Sequence, residues 1–251
     1  MIRFANLFDN PNFVEISSMG NIKVYEYRKD MSVTNATAIN AHYAALMNVR
    51  KRQVLIRLNN DAYTLSAGAM QWTAGNVRMV ADVKGPGGLL KKAVSGSLTG
   101  ESAVKPRYEG AGLLMLEPTY KHILLEDISN WGGLVLEDGL FLACESTVQQ
   151  KVVMRSNLSS AALGGEGLFN LALKGSGIAV LESPVPREEL IEVILENDEI
   201  KIDGSFAIAW SDSLDFRVER SSKSLLGSAV SGEGLVNVYR GTGRVLMAPV
   251  S

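Results

Sequence analysis

Two histidines, one cysteine, three repeated glutamates and one basic triplet are the residues of this chain whose types could carry chemistry. His42 and His122 lie in different regions with no ligand-like neighbour spacing, so a zinc site would need carboxylates brought to them by the fold. Cys144 ends the apolar run Phe141-Leu142-Ala143, which reads as a small buried side chain and not as a nucleophile beside a base. Glu101, Glu166 and Glu233 each follow a glycine and recur at nearly equal spacing. Three carboxylates turned toward a common axis could hold a cation, and their repulsion would raise at least one pKa. Turned outward, each would brace its own glycine turn, which is the preferred reading. Arg50-Lys51-Arg52 reads as a solvated turn that meets the C-terminal dipole of a helix, in preference to an RNA contact.

The larger catalytic patterns are missing. No Gly-x-Ser-x-Gly elbow occurs, no Gly-x-x-x-x-Gly-Lys-Ser/Thr phosphate loop, and none of the three Gly-x-Gly units continues as Gly-x-Gly-x-x-Gly. Those units lead into apolar strand-like runs, so no helix N-terminus follows them to hold a phosphate. They read as turns or bulges where only glycine fits. No catalytic, cofactor-binding or metal residue is therefore assigned, and no cofactor is expected.

The elements that would position these groups are strands. Leu214-Asp215-Phe216-Arg217-Val218-Glu219 and Ile22-Lys23-Val24-Tyr25-Glu26-Tyr27-Arg28 alternate apolar and polar residues, the pattern of half-buried antiparallel strands. Leu113-Leu114-Met115-Leu116, Val152-Val153-Met154 and Val245-Leu246-Met247 are continuously apolar and fit strands covered on both faces. Asp138-Gly139 and Asp203-Gly204 stand between apolar runs and predict hairpins, since they supply positive φ angles. One helix is expected, over 36–49, with Asn35 as N-cap and Ile39, Tyr43 and Leu46 as its inward stripe.

A threefold echo orders these pieces. Gly100-Glu101, Gly165-Glu166 and Gly232-Glu233 are followed by Gly110-Ala111-Gly112, Gly175-Ser176-Gly177 and Gly241-Thr242-Gly243, with Pro118, Pro184 and Pro249 closing the copies. Equal spacing implies one structural unit used three times. The expected organisation is one all-β body: an N-terminal arm over 1–50, then β modules over 51–118, 119–184 and 185–251 that bury each other's apolar surface about a pseudo-threefold axis.

With 251 residues the chain can build a real core, and 46% hydrophobic with 21% charged residues is the composition of a globular protein. The net charge of −2 gives no electrostatic case for nucleic acid or an acidic membrane. The aromatics, including Trp72, Trp131 and Trp210, do not interleave with basic residues. No window approaches 18 apolar residues, and the N-terminal MIRFANLFDNPNF lacks the apolar core of a secretory signal. A cytoplasmic location is the expectation.

Ala67-Gly68-Ala69-Met70-Gln71-Trp72, the Gly-Glu-Gly-Leu turns and the closing run Gly232 to Gly243 resemble the altered inheritance of mitochondria protein 24 family, from about Gln53 to the end of the chain. The resemblance implies three β modules of the kind found in the tryptophan-regulated RNA-binding attenuation protein, a short double-stranded β-helix or sandwich, and assembly into rings or higher oligomers. It implies no reaction and no catalytic residues. The expected function is a non-catalytic β-rich assembly or interaction protein that forms a homo-oligomer and meets protein partners. The alternative is a small-ligand binder with its pocket between modules or subunits, and an enzyme comes third.

Overall fold

Strands carry most of the chain in the computed structural model, which describes residues 2–80, 105–154, 169–220 and 235–250. In chain order the elements are β1 (Phe13–Met19), β2 (Ile22–Tyr27), α1 (Ala38–Leu46), β3 (Arg52–Leu65), β4 (Met70–Val80), β5 (Arg107–Leu116), β6 (His122–Asp127), β7 (Leu134–Leu136), β8 (Phe141–Glu145), β9 (Val148–Met154), β10 (Phe169–Gly175), β11 (Ile178–Ser183), β12 (Ile191–Asp203), β13 (Ala207–Ser211), β14 (Asp215–Arg220) and β15 (Leu235–Met247). They make two curled antiparallel sheets. The eight-stranded sheet runs β1-β2-β3-β8-β11-β6, with β5 on the far edge of β3 and β4 beyond it. The seven-stranded sheet runs β12-β15-β13-β7-β10-β9, with β14 also on β15.

One pairing order recurs. β5 lies between β3 and β4, and β15 lies between β12 and the β13/β14 pair. In the middle of the chain the strands are split: β11 lies between β6 and β8 in the first sheet, and β10 between β7 and β9 in the second. The split explains a failed expectation. The Asp-Gly turns form as the sequence predicts, with positive φ at Gly139 and Gly204, but neither closes a hairpin. β7 and β8 leave Gly139 for different sheets, and β12 and β13 lie on opposite edges of β15. Turn chemistry specifies a local reversal, whereas pairing is chosen by which apolar faces can be covered.

The Gly-x-Gly units sit in the middle strand of each set, at β5, at the β10–β11 break and in β15. The steric reason is clearest at Gly110, where φ is +128° and an added Cβ would stand 2.0 Å from the Asn76 carbonyl oxygen of β4. The neighbouring strand passes too close for any side chain.

Continuous apolar runs mark strands buried on both faces. Val54, Ile56 and Leu58 of β3 point into one cluster with Ile22, Leu114 and Leu116, while Leu55 on the opposite face joins Phe13, Tyr25 and Met115. Leu114 to Leu116 and Val245-Leu246 are buried as their sequence implies. Val152 is not, because β9 ends its sheet and is half exposed there. Into β14 the alternation holds, with Leu214, just before the strand, and Phe216 inward and Asp215 and Arg217 outward. No helix among the described residues is long and apolar enough to cross a membrane.

Candidate functional site

The region around α1 combines a cavity, a charged cluster and an exposed apolar face. The helix is nine residues long, shorter than the expected 36–49, and its N-cap is Thr37, not Asn35. The Thr34 carbonyl accepts from the amides of Thr37 and Ala38, which turns the chain into the helix two residues later than Asn35 would. At the other end Asn48 adopts φ +64° and the Val49 amide donates to Ala44 O at 2.9 Å, a left-handed C-terminal cap.

The helix faces the other way from its sequence reading. Ile39, Tyr43 and Leu46 are 69%, 64% and 65% exposed, and Met47 beside them 79%. Ala41, Ala44 and Ala45 turn inward and, with Val33 and Val49, wall a cavity of about 370 Å³ between helix and sheet. Nothing on α1 is buried, so apolar packing does not hold it. Charge does.

Arg50 and Arg52 form a clamp on the C-terminal end of the helix. Arg50 Nε donates to Ala45 O at 3.1 Å, and Arg52 Nη2 donates to Asn48 O at 3.0 Å and to Asn48 Oδ1 at 2.8 Å. Both guanidinium groups share the Glu26 carboxylate of β2, at 3.0 Å and 2.8 Å. The basic triplet does meet the C-terminal carbonyls of the helix. It is no solvated turn, however, because Arg52 is 2% exposed.

The third member, Lys51, points to the cavity floor. Its Nζ lies 3.0 Å from Asp30 and donates to Ser32 Oγ at 3.0 Å, and Tyr120 Oη donates to Asp30 Oδ2 at 2.9 Å. Hydrogen bonds from Ser32 and Lys51 hold the Asp30 carboxyl well below the usual carboxylate range. The same contact pushes Lys51 up, and burial, helped by Asp30, pushes the Tyr120 phenol up. These shifts lock each group in its ordinary charge state near neutral pH. The floor thus orients and binds; it supplies no proton donor or acceptor poised near 7.

A second concavity of about 510 Å³ opens where β3 meets the turn after β8, lined by Asn60, Asp61, Arg78, Arg107, Glu109 and Ser146. Arg78 donates to Glu109 at 2.7 Å. The Ser146 amide donates to Ala62 O at 2.9 Å, closing one wall.

The other residues singled out in the sequence are scattered. Glu101, Glu166 and Glu233, with their Gly-Glu turns, lie outside the described residues. His42 is on α1 against Tyr43, and His122 starts β6, where burial and then Arg52 lower its pKa. Cys144 is fully buried in β8 and its thiol is pushed up to about 12. Trp210 is a core anchor stacked on Phe216, and Trp72 carries the Phe4 ring at 5.0 Å. No group of three His, Cys, Asp or Glu side chains that could hold a metal ion occurs among the described residues. Glu26, Asp30 and Tyr120 escaped sequence reasoning. Only the Asp30-x-Ser32 turn was locally readable, while Lys51 and Tyr120 reach Asp30 through the fold.

Residues 45–250 match the family model described as mitochondrial biogenesis AIM24. An uncharacterized protein of Streptococcus pyogenes serotype M6 is 28% identical over 188 residues, covering 72% of this chain and 74% of its own. The crystal structure of protein SPYM3_0169 from Streptococcus pyogenes has the same fold, with a TM-score of 0.60 at 24% identity over 82% of this chain and 90% of that one.

Proposed function

Since this chain belongs to the AIM24 family, which assigns it no reaction, we propose that it is a non-catalytic assembly protein that docks on a second copy of itself through α1. The carrying observation is the outward face of that helix. Ile39, Tyr43 and Leu46 of α1, with Met47 at its C-terminal cap, form an exposed apolar surface on one short element. Burying a side chain of this size contributes roughly 1.5–3 kcal/mol, and natural monomers seldom leave such a group together in water.

Charge selects the occupant. Residues 31–49 contain no Asp, Glu, Lys or Arg. A twofold copy of the helix therefore meets no like charge, whereas a membrane-surface helix would carry a basic face. Light scattering tests the reading: Ile39→Asp/Leu46→Asp should lower the particle mass while the melting temperature stays within a few degrees. A wild-type protein that is monomeric at high micromolar concentration would refute it.

The body that carries this face is proposed to be three β modules, over 51–118, 119–184 and 185–251, that repeat one strand plan behind an arm over 1–50. Support comes from three recurrent irregularities. Left-handed residues interrupt the first strand at Asn60, Gly132 and Asn197. A bulge breaks the second strand at Gln71, Leu142 and Ile208, and the Gly-x-Gly units occupy the third. A cytoplasmic location fits the single buried thiol. The second reading, a small-ligand binder, draws on the 510 Å³ cleft at the β3–β8 seam, whose arginines suit a polar anion. A metabolite that raises the melting temperature would favour it.

A further inference from the structure

Two strand junctions join the three sets of strands, and they are built alike. At the first, the end of β3 pairs with the start of β8: Leu65 with Ala143, Thr64 with Cys144, Tyr63 with Glu145. At the second, β7 pairs with β13: Leu136 with Ala209, Val135 with Trp210, Leu134 with Ser211. In both, the residue after the buried leucine donates its amide to the carbonyl of the bulged residue, Ser66 to Leu142 at 2.7 Å and Glu137 to Ile208 at 2.9 Å.

A third junction of this kind has both halves present and unjoined. The counterpart of Leu65 and Leu136 in the last set is Ile202. Leu65 N donates to Pro106 O, Leu136 pairs with Leu171 and Ile202 pairs with Asn237, each partner four residues before Gly110, Gly175 and Gly241 respectively. Leu65, Leu136 and Ile202 are all buried. The counterpart of Ala143 and Ala209 in the first set is Trp72, the residue after the bulge of β4. Ala143, Ala209 and Trp72 face Val180, Leu246 and Met115, each five residues after the same glycines. Among the described residues β12 pairs only with β15, and β4 only with β5.

We propose that the free edge of β12 in one copy pairs with the free edge of β4 in the next, repeating the internal junction between chains. Ile202 then stands opposite Trp72 of the second copy, Lys201 opposite Thr73 and Ile200 opposite Ala74, and the Asp203 amide donates to the Gln71 carbonyl. Other strand edges are also open, but only these two are the edges that both internal junctions use. Unpaired edge amides and carbonyls are a template for another strand, and β-augmentation draws affinity from main-chain hydrogen bonds. The contact is heterologous, one edge meeting a different edge, so it closes into a ring or continues as a filament. Lys201 facing Thr73 places no like charges opposite each other.

The inference deepens the assembly reading but uses a different surface, and disulfide trapping separates the two. Thr73→Cys and Lys201→Cys are substitutions at exposed edge positions, and a directly opposed antiparallel pair brings Cβ atoms within disulfide reach. The native Cys144 is buried with its thiol pushed up to about 12, so it adds no background. Mixed and oxidised with copper–phenanthroline while folded, the two single variants should give a covalent heterodimer. The double variant should give a ladder of multimers that collapses on reduction. No mixed disulfide, or a double variant that only forms a disulfide within one chain, would overturn the proposal. If Ile39→Asp/Leu46→Asp leaves the mass unchanged but the mixed disulfide forms, the edge contact stands without the helix contact. If the helix variant lowers the mass and no mixed disulfide forms, the edge contact falls alone.

Discussion

Removing the Glu26 carboxylate tests how α1 is held. Glu26→Ala leaves Arg50 at the surface, where water can solvate it, but strands the Arg52 charge at 2% exposure. Breaking a buried pair by deleting one partner costs about 3–5 kcal/mol. Arg52 keeps neutral acceptors in Asn48 O and Oδ1, Arg50 O and Tyr120 O. Those place the expected loss at the lower end, about 3 kcal/mol. In a chain of this length each kcal/mol moves the melting temperature by about 2–4 °C, so a fall of roughly 6–12 °C is expected. The same guanidinium groups hold the Ala45 and Asn48 carbonyls. Amide exchange at Val49 and in the last turn of α1 should therefore accelerate before the sheets open. Replacing both partners together, Glu26→Leu with Arg52→Met, should recover much of the loss, because an apolar pair of similar volume is often neutral. A melting temperature within 2 °C of wild type for Glu26→Ala, or unchanged protection in α1, would refute the clamp.

Two further perturbations follow from other parts of the structure. Gly110→Ala puts a Cβ 2.0 Å from the Asn76 carbonyl, whereas at Gly139 the added Cβ meets nothing within 4 Å. Denaturant unfolding should show a loss of several kcal/mol for the first and about 1 kcal/mol for the second; equal losses would show that β4 and β5 part easily. Asp30 has a folded pKa below its unfolded value of about 3.9, so its contribution is complete above that pH and fades as pH falls through the folded pKa. The stability gap between wild type and Asp30→Asn should be constant from pH 7 to about 5 and shrink toward pH 2. A gap that stays constant to pH 2 would mean the carboxylate is not bonded as described.

Much was legible in the residues themselves. Alternation placed β2 and β14, apolar runs marked the doubly covered strands β5 and β15, and the Asp-Gly pairs located turns with positive φ. The Gly-x-Gly units pointed to backbone that tolerates no side chain. Each is a property of a few neighbouring residues, set by sterics or by the period of side chains along a strand. Partner choice is not such a property. Nothing near Gly139 says that β7 and β8 part for different sheets, because that depends on surfaces supplied by strands distant in the chain. The stripe Ile39, Tyr43 and Leu46 shows a helix with an apolar side, yet amphipathicity does not say whether the core or a partner covers it. Two arginines anchored by one carboxylate on β2 decided the orientation by gripping the carbonyls at the end of the helix. Glu26 and Asp30 meet their cations 24 and 21 residues away, and Tyr120 donates to Asp30 from 90 residues away; contacts of that range exist only once the sheets have closed. Sequence alone determined the kinds of strand and turn this chain can make; the tertiary structure decided which edges they share, since burial is a joint property of segments that no single segment encodes.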